Sequence, residues 1–277
     1  MAEEDLTADA IKGLGWRQGS ILPGELVVDL RAGGLLRIEP EAGELWVVLS
    51  HSCDVVNRSF VSEPSVELIR IAKLVSGTDG SLAWFRNPRI CHFREPLGKA
   101  GTEWCVSIHS RVIIPRAKLL GHRPDMAKSL QPDSVRRLAS WAARRYTRAA
   151  FPDEFNSRCL PAQKSLRQKL KTKGHLLTGI FLVVDDEELA ADIAYNVIIV
   201  ASMHEDMYHI ATTRNEAQAL LDAVETALDA CDGIEVQESS LRSEEGISLG
   251  DLRLLKRWDL DYLSLRAESV EDLPPAQ

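Results

Sequence analysis

Six side chains able to bind a metal or act as nucleophile and base fall within one stretch of the chain: His51, Cys53, Cys91, His92, Cys105 and His109. Zinc takes four soft or borderline ligands in a tetrahedron, normally supplied as close pairs. His51-x-Cys53 and Cys91-His92 are such pairs and make these four residues the candidate zinc ligands, although none shows the paired-cysteine spacing of a zinc ribbon. Buried structural cysteines beside strands are the competing reading, since free cysteine packs as a small apolar residue. The run Ser50-His51-Ser52-Cys53-Asp54 also admits thiol chemistry, with Cys53 as nucleophile at a strand end, a histidine from elsewhere as base and Asp54 orienting it. A third possibility lies in Trp258-Asp259-Leu260-Asp261-Tyr262. If extended, this segment projects Asp259 and Asp261 from one face, where together with Asp185-Asp186-Glu187-Glu188 they could hold magnesium for phosphodiester cleavage. Lys256 is the only lysine after Lys173, so the lysine such a site usually adds has one candidate, and a solvated acidic surface is the alternative.

Charge supplies a further signal. The 277 residues carry a net charge of −8, but the distribution is uneven. Residues 1–133 net −1, residues 134–175 net +9 with only Asp153 and Glu154 against 11 basic side chains, and residues 176–277 net −16. Asp133 or Ser134 can cap a first helix in the cationic segment, and Pro152 ends it. Pro161 opens a second helix and Gly174 closes it. On the first helix, Val135, Leu138, Ala142, Tyr146 and Ala149 form one face, with Arg137, Trp141, Arg144 and Arg148 beside it: guanidinium groups around an indole, suited to phosphates and stacked bases. The second helix adds Lys164, Arg167, Lys169, Lys171 and Lys173, anchored by Leu166 and Leu170. A nucleic-acid-facing surface is one reading of this pattern, internal salt-bridging or docking on a protein the other. A pI near 5.5 argues against a dedicated nucleic-acid domain, and the acidic final third or an acidic protein partner could neutralise the same charges.

The elements that must position these groups read as α+β in three parts. Residues 1–133 form a β-rich, barrel-like module, with strands at 45–50, 66–71, 83–85 and 112–114 separated by glycine and proline. Residues 134–175 are the basic helical segment. Residues 176–277 form an acidic α/β module with strands at 179–184, 195–203 and 234–237, a helix at 215–230 whose apolar stripe precedes Gly233, and a last short helix capped by Ser248 and Asp251 that turns Leu252 and Leu255 inward.

The opening of the chain resembles one known family. Gln18-Gly19-Ser20-Ile21-Leu22, followed by Leu45-Trp46-Val47-Val48-Leu49-Ser50 and Val66-Glu67-Leu68-Ile69-Arg70-Ile71, is similar to the first strands of the MazF/PemK-type toxins, over residues 18–116 at most. The resemblance implies an SH3-like barrel and RNA cleavage, with Ser50 at the position of the family's strand-end hydroxyl. Ser20 stands where the family has an aspartate and Glu44-Leu45 where it has Arg-Pro; the arginines nearest to its catalytic one are Arg31 and Arg37.

No apolar run approaches the roughly 20 residues of a membrane helix. The acidic opening Met1-Ala2-Glu3-Glu4-Asp5 lacks the basic and apolar regions of a signal peptide, and five cysteines without framework spacing point to a reducing cytoplasm. The expectation is a cytoplasmic bacterial accessory protein of toxin or defence type that engages nucleic acid, with cleavage open. The alternatives are a non-catalytic subunit or scaffold whose basic helices dock on an acidic protein surface, and a thiol or metal hydrolase centred on Cys53.

Overall fold

The computed structural model describes residues 3–75, 77–95, 102–147 and 149–258. The chain divides into two compact units, the first formed by residues 1–78 and 89–144, the second by 79–88 and 145–277. The division falls inside a basic helix, away from Asp133 and His175, where the composition changes. Among the described residues no helix is long and apolar enough to cross a membrane.

The first unit contains α1 (Glu3–Leu14), α2 (Gly24–Ala32), β1 (Leu45–Val48), α3 (Ser52–Val55), β2 (Ser65–Lys73), β3 (Ile90–Glu95), β4 (Thr102–Pro115) and most of α4 (Pro132–Thr147). Its antiparallel sheet has the order β1-β2-β4-β3. The expected barrel is replaced by an open sheet, because helices rather than further strands cover its apolar side chains: Ile11 of α1 and Leu26 and Leu30 of α2 share a core with Trp46, Val48, Val66, Leu68 and Ile114. β2 does not alternate as its sequence suggests. Its register shifts between Ile69 and Ile71, so Leu68, Ile69, Ile71 and Ala72 are all buried. Residues 18–22 run along the β1 edge, where Gly19 donates to Val48 O (2.8 Å), Leu22 to Trp46 O (2.9 Å) and Val48 to Ser20 O (2.9 Å). That edge is therefore covered.

One side chain organises the end of this sheet. Arg116 is fully buried and pairs with no carboxylate among the described residues; Nη1 donates to the carbonyls of Asp54 (2.9 Å), Val55 (3.3 Å) and Asn57 (2.6 Å), and Nη2 to that of Ser59 (3.0 Å). Its guanidinium lies 4.1 Å from the centre of the Phe60 ring. Burial pulls its pKa below the ordinary guanidinium value, with Glu63 opposing.

The second unit contains α5 (Asp153–Arg158), α6 (Leu160–Lys173), β5 (Gly179–Val183), β6 (Tyr195–Met203), α7 (Glu205–Tyr208), α8 (Ala211–Asp229), β7 (Ile234–Ser243), α9 (Asp251–Leu254) and β8 (Lys256–Arg257). The sheet order is β7-β6-β5-β8, with β6 and β7 parallel and α8 as their crossover. Ala217, Leu220, Leu221, Val224 and Leu228 of α8 are buried against Tyr195, Val197, Ile199 and Ala201 of β6 in one core. Arg158 fixes the entry to this sheet, donating to Ala190 O (3.0 Å), Ile193 O (2.8 Å) and Gly233 O (3.1 Å) and pairing with Glu154 (2.9 Å). Gly233 has φ +71°, and a Cβ there would lie 2.4 Å from Arg158 Nη1, so glycine serves both the turn and the arginine.

Two expectations fail here. Residues 83–85 are not a strand: Gly80–Phe85 is a kinked 3-10 segment with Trp84 and Phe85 both at φ +54°. It crosses the end of α6 so closely that a Cβ on Gly80 would lie 2.8 Å from Lys171 O, and Trp84 Nε1 donates to His175 O. Leu252 of α9 is exposed rather than core-facing, although Ser248 does bond Asp251 as a cap (2.9 Å). α1, α2, α5 and β3 lie outside the elements that the sequence pattern picks out.

Replacing Arg116 by Met leaves four carbonyls without their shared donor. The expected loss is about 3 kcal/mol or more, read from urea denaturation. An unchanged midpoint would show that solvent can replace the guanidinium.

Candidate functional site

The cysteine and histidine candidates do not converge. His51 caps α3, its Nδ1 accepting from the backbone N–H of Cys53 (3.3 Å), and both side chains face solvent. Cys91 and His92 are consecutive on β3 and buried, so they project from opposite faces of the sheet. Among the described residues no group of three or more His, Cys, Asp or Glu side chains is placed to hold a metal ion. Asp259 and Asp261 lie outside the described residues. Ser50 is engaged structurally, its Oγ accepting from Glu67 N (2.8 Å) and joining the end of β1 to β2. Arg31 pairs with Glu44 and donates to Ile38 O, while Arg37 bonds Gly34 O within its own turn (3.2 Å). Burial alone would raise the Glu44 carboxyl; hydrogen bonds from Arg31, Glu41 N and Trp46 hold it below the usual range.

The thiols separate by environment. Burial raises Cys105 and Cys231, and raises Cys159 to about 12 with help from the adjacent Cys231. Cys53 is the exposed one.

The two basic helices differ. On α4, Leu138, Trp141 and Ala142 form the buried face, so the indole expected to stack on a base is core and Tyr146 is exposed instead. An indole removes more apolar area from water than a phenol ring and carries no hydroxyl that must stay hydrated, which sets the rotation of the helix. Arg136 (3.3 Å) and Arg137 (2.6 Å) both reach Asp133 in the first turn, and Arg144 is half-buried. Arg148 lies outside the described residues.

On α6 the expected division holds. Ala162, Gln163, Leu166 and Leu170 are buried, while Lys164, Arg167, Lys169 and Lys171 are exposed. Of the helix cations only Lys173 pairs with a described carboxylate, Glu216 of α8 (3.3 Å). Lys164, Arg167 and Lys171, at i, i+3 and i+7, share one stripe about 10 Å long, with the exposed Gln168 among them. Two acidic residues of the 185–188 run serve other groups. Glu188 accepts from the backbone N–H groups of Asp153 (2.6 Å) and Glu154 (3.0 Å) at the start of α5, and Asp186 pairs with Lys256.

Sequence patterns overlooked a cleft of about 540 Å3 in the first unit, lined by Arg17, Lys128 and Arg136 among others. Arg17 is more than 100 positions from Lys128 and Arg136, so no local pattern joins the three.

Native protein treated with iodoacetamide is expected to be modified first at Cys53, with Cys91, Cys159 and Cys231 protected until denaturant is added; peptide mass mapping checks this. Cys159 also predicts an alkaline limit. Its folded-state pKa lies above the unfolded one, so its contribution is intact below about pH 9 and is lost as pH rises toward 12. Between pH 8 and 10.5 the wild type should lose about 2 kcal/mol more than Cys159→Ala in urea denaturation.

No protein-family model matches the chain, and no curated protein or solved structure matches it, so the functional argument rests on the chain's own residues.

Proposed function

We propose that the protein binds nucleic acid through the cationic stripe of α6, with Lys164, Arg167 and Lys171 contacting phosphates and Gln168 supplying an amide to a sugar or phosphate oxygen. The observation that supports this is the exposure of these cations without a described carboxylate partner, on a helix whose opposite face is firmly buried. A stripe of this length spans successive phosphates of one strand, and each neutralised phosphate releases a counterion. Arg167 adds a planar fork that can take a phosphate in bidentate fashion. The reading assigns backbone contact, without sequence preference, because α6 presents no aromatic side chain for stacking and the α4 indole expected to stack, Trp141, is buried. Five free cysteines support the cytoplasm as the compartment.

Fluorescence anisotropy with labelled 20-mer RNA and DNA tests this. The wild type should bind both at low salt with affinity falling steeply as salt rises, and Lys164→Glu, Arg167→Glu, Lys171→Glu combined should weaken binding by at least 100-fold and flatten the salt slope by roughly 2–3. Absence of wild-type binding at low salt, or equal binding by the triple variant, overturns the proposal. All three residues are exposed, so thermal stability should stay within about 1 kcal/mol of wild type.

A further inference from the structure

We infer that the cleft of the first unit is a binding site for a phosphate monoester of nucleotide size. The site is built entirely within that unit and does not depend on the α6 stripe. Its volume of about 540 Å3 falls in the range of small-molecule sites.

The charge of the lining selects the ligand class. The lining carries three cations, of which Lys128 pairs with Asp125 and Arg136 with Asp133 (3.3 Å), leaving an excess of one positive charge at Arg17. Asp125 is already occupied: Oδ1 accepts from Ala127 N (3.1 Å) and Oδ2 from Lys128 Nζ (2.8 Å). Arg17 is exposed and has no carboxylate partner among the described residues. A phosphate monoester offers three strong acceptor oxygens, which suit the Arg17 guanidinium and the remaining N–H donors of Lys128 and Arg136. Leu130 and Val135 supply an apolar wall beside the cations, which gives the organic part of an ester a place that free phosphate cannot use.

The cleft is also held open before any ligand arrives. Arg17 N donates to Ser20 Oγ and Ser20 N to Arg17 O, both at 3.0 Å, closing a tight turn. Gln18 ties that turn to its surroundings, its N–H donating to Ser52 Oγ (3.1 Å) and its Nε2 to Leu49 O (2.8 Å). On the other side, Asp125 N donates to Ile21 O (2.8 Å). Gly19 has φ +81°, and a Cβ there would come within 2.5 Å of Val135 Cγ2, so the absent side chain is what lets α4 approach the turn. Walls fixed in this way spare the ligand the entropic cost of ordering them.

Titration calorimetry on the full chain, with adenosine monophosphate, adenosine and inorganic phosphate as probes, tests the assignment. Adenosine monophosphate should bind saturably, phosphate should compete more weakly, and adenosine should not bind. Arg17→Ala with Lys128→Ala should weaken the nucleotide at least tenfold, while the Lys164, Arg167, Lys171 triple variant should bind it as the wild type does. Absence of nucleotide binding at millimolar concentration, equal binding of adenosine, or an unchanged affinity in the Arg17/Lys128 variant overturns the site. Loss of nucleotide binding in the triple variant would assign the phosphate contact to α6 and overturn it as well.

Discussion

A guanidinium removed from water must have its donors and its charge answered within the protein, or the fold pays several kcal/mol. Arg116 is answered at Nη1 and Nη2 by four backbone carbonyls within residues 54–59 and over its plane by the face of Phe60, while its Nε has no partner among the described residues. Carbonyl dipoles suit this role because they need no second desolvated charge, and because they belong to backbone that would otherwise be short of donors. The segment between α3 and β2 is thereby pinned to the end of β4, which fixes where α3 starts and where Ser52 meets the turn at Gln18. The mouth of the cleft depends on that placement.

Arg158 repeats the solution in the second unit. Its donors reach three carbonyls on the two loops that precede β6 and β7, and its guanidinium lies over Tyr195, whose hydroxyl in turn bonds Glu187 O (3.1 Å) and Leu189 N (2.9 Å). The parallel pair β6 and β7 has no hairpin to set its register, since α8 intervenes. A side chain clamping both approaches at once supplies that register, and Gly233 is the residue that gives it room.

The elements legible in the sequence are those whose pattern is local. β5, β6, α6 and α8 carry their periodicity, their proline and their closing glycine within a single window, and they occur close to where that pattern puts them. The arginine clamps are not legible, because a charged residue is expected at the surface and nothing near Arg116 or Arg158 marks the carbonyls they meet 30 to 75 positions away. Residues 83–85 mislead for the same reason. Their apolar run has strand composition, yet the chain there leaves the first unit and is shaped by glycine contacts with the end of α6. On α4 the periodicity correctly indicates a helix but not its rotation, which depends on where the largest apolar side chain is buried. The cleft residues Arg17, Lys128 and Arg136 share no period at all, so only folding brings them together.

Charge acquires a different meaning once it is counted by unit. The first unit holds 18 lysines and arginines against 16 carboxylates, the second 15 against 25. The helix with the clearest cationic stripe thus belongs to the more acidic half. Such an arrangement would be self-neutralising if the acidic groups were turned toward α6; Glu216 does reach it, at Lys173, but four others are engaged at short range elsewhere: Glu188 on the α5 N-terminus, Glu154 on Arg158, Asp186 on Lys256, Glu205 on His209. Local satisfaction at one to a few ångströms outweighs attraction across a solvated surface, which is screened within about 10 Å at ordinary salt. For the proposed nucleic-acid contact, a unit of this mixed sign would disfavour broad affinity and leave the α6 cations as the place of engagement.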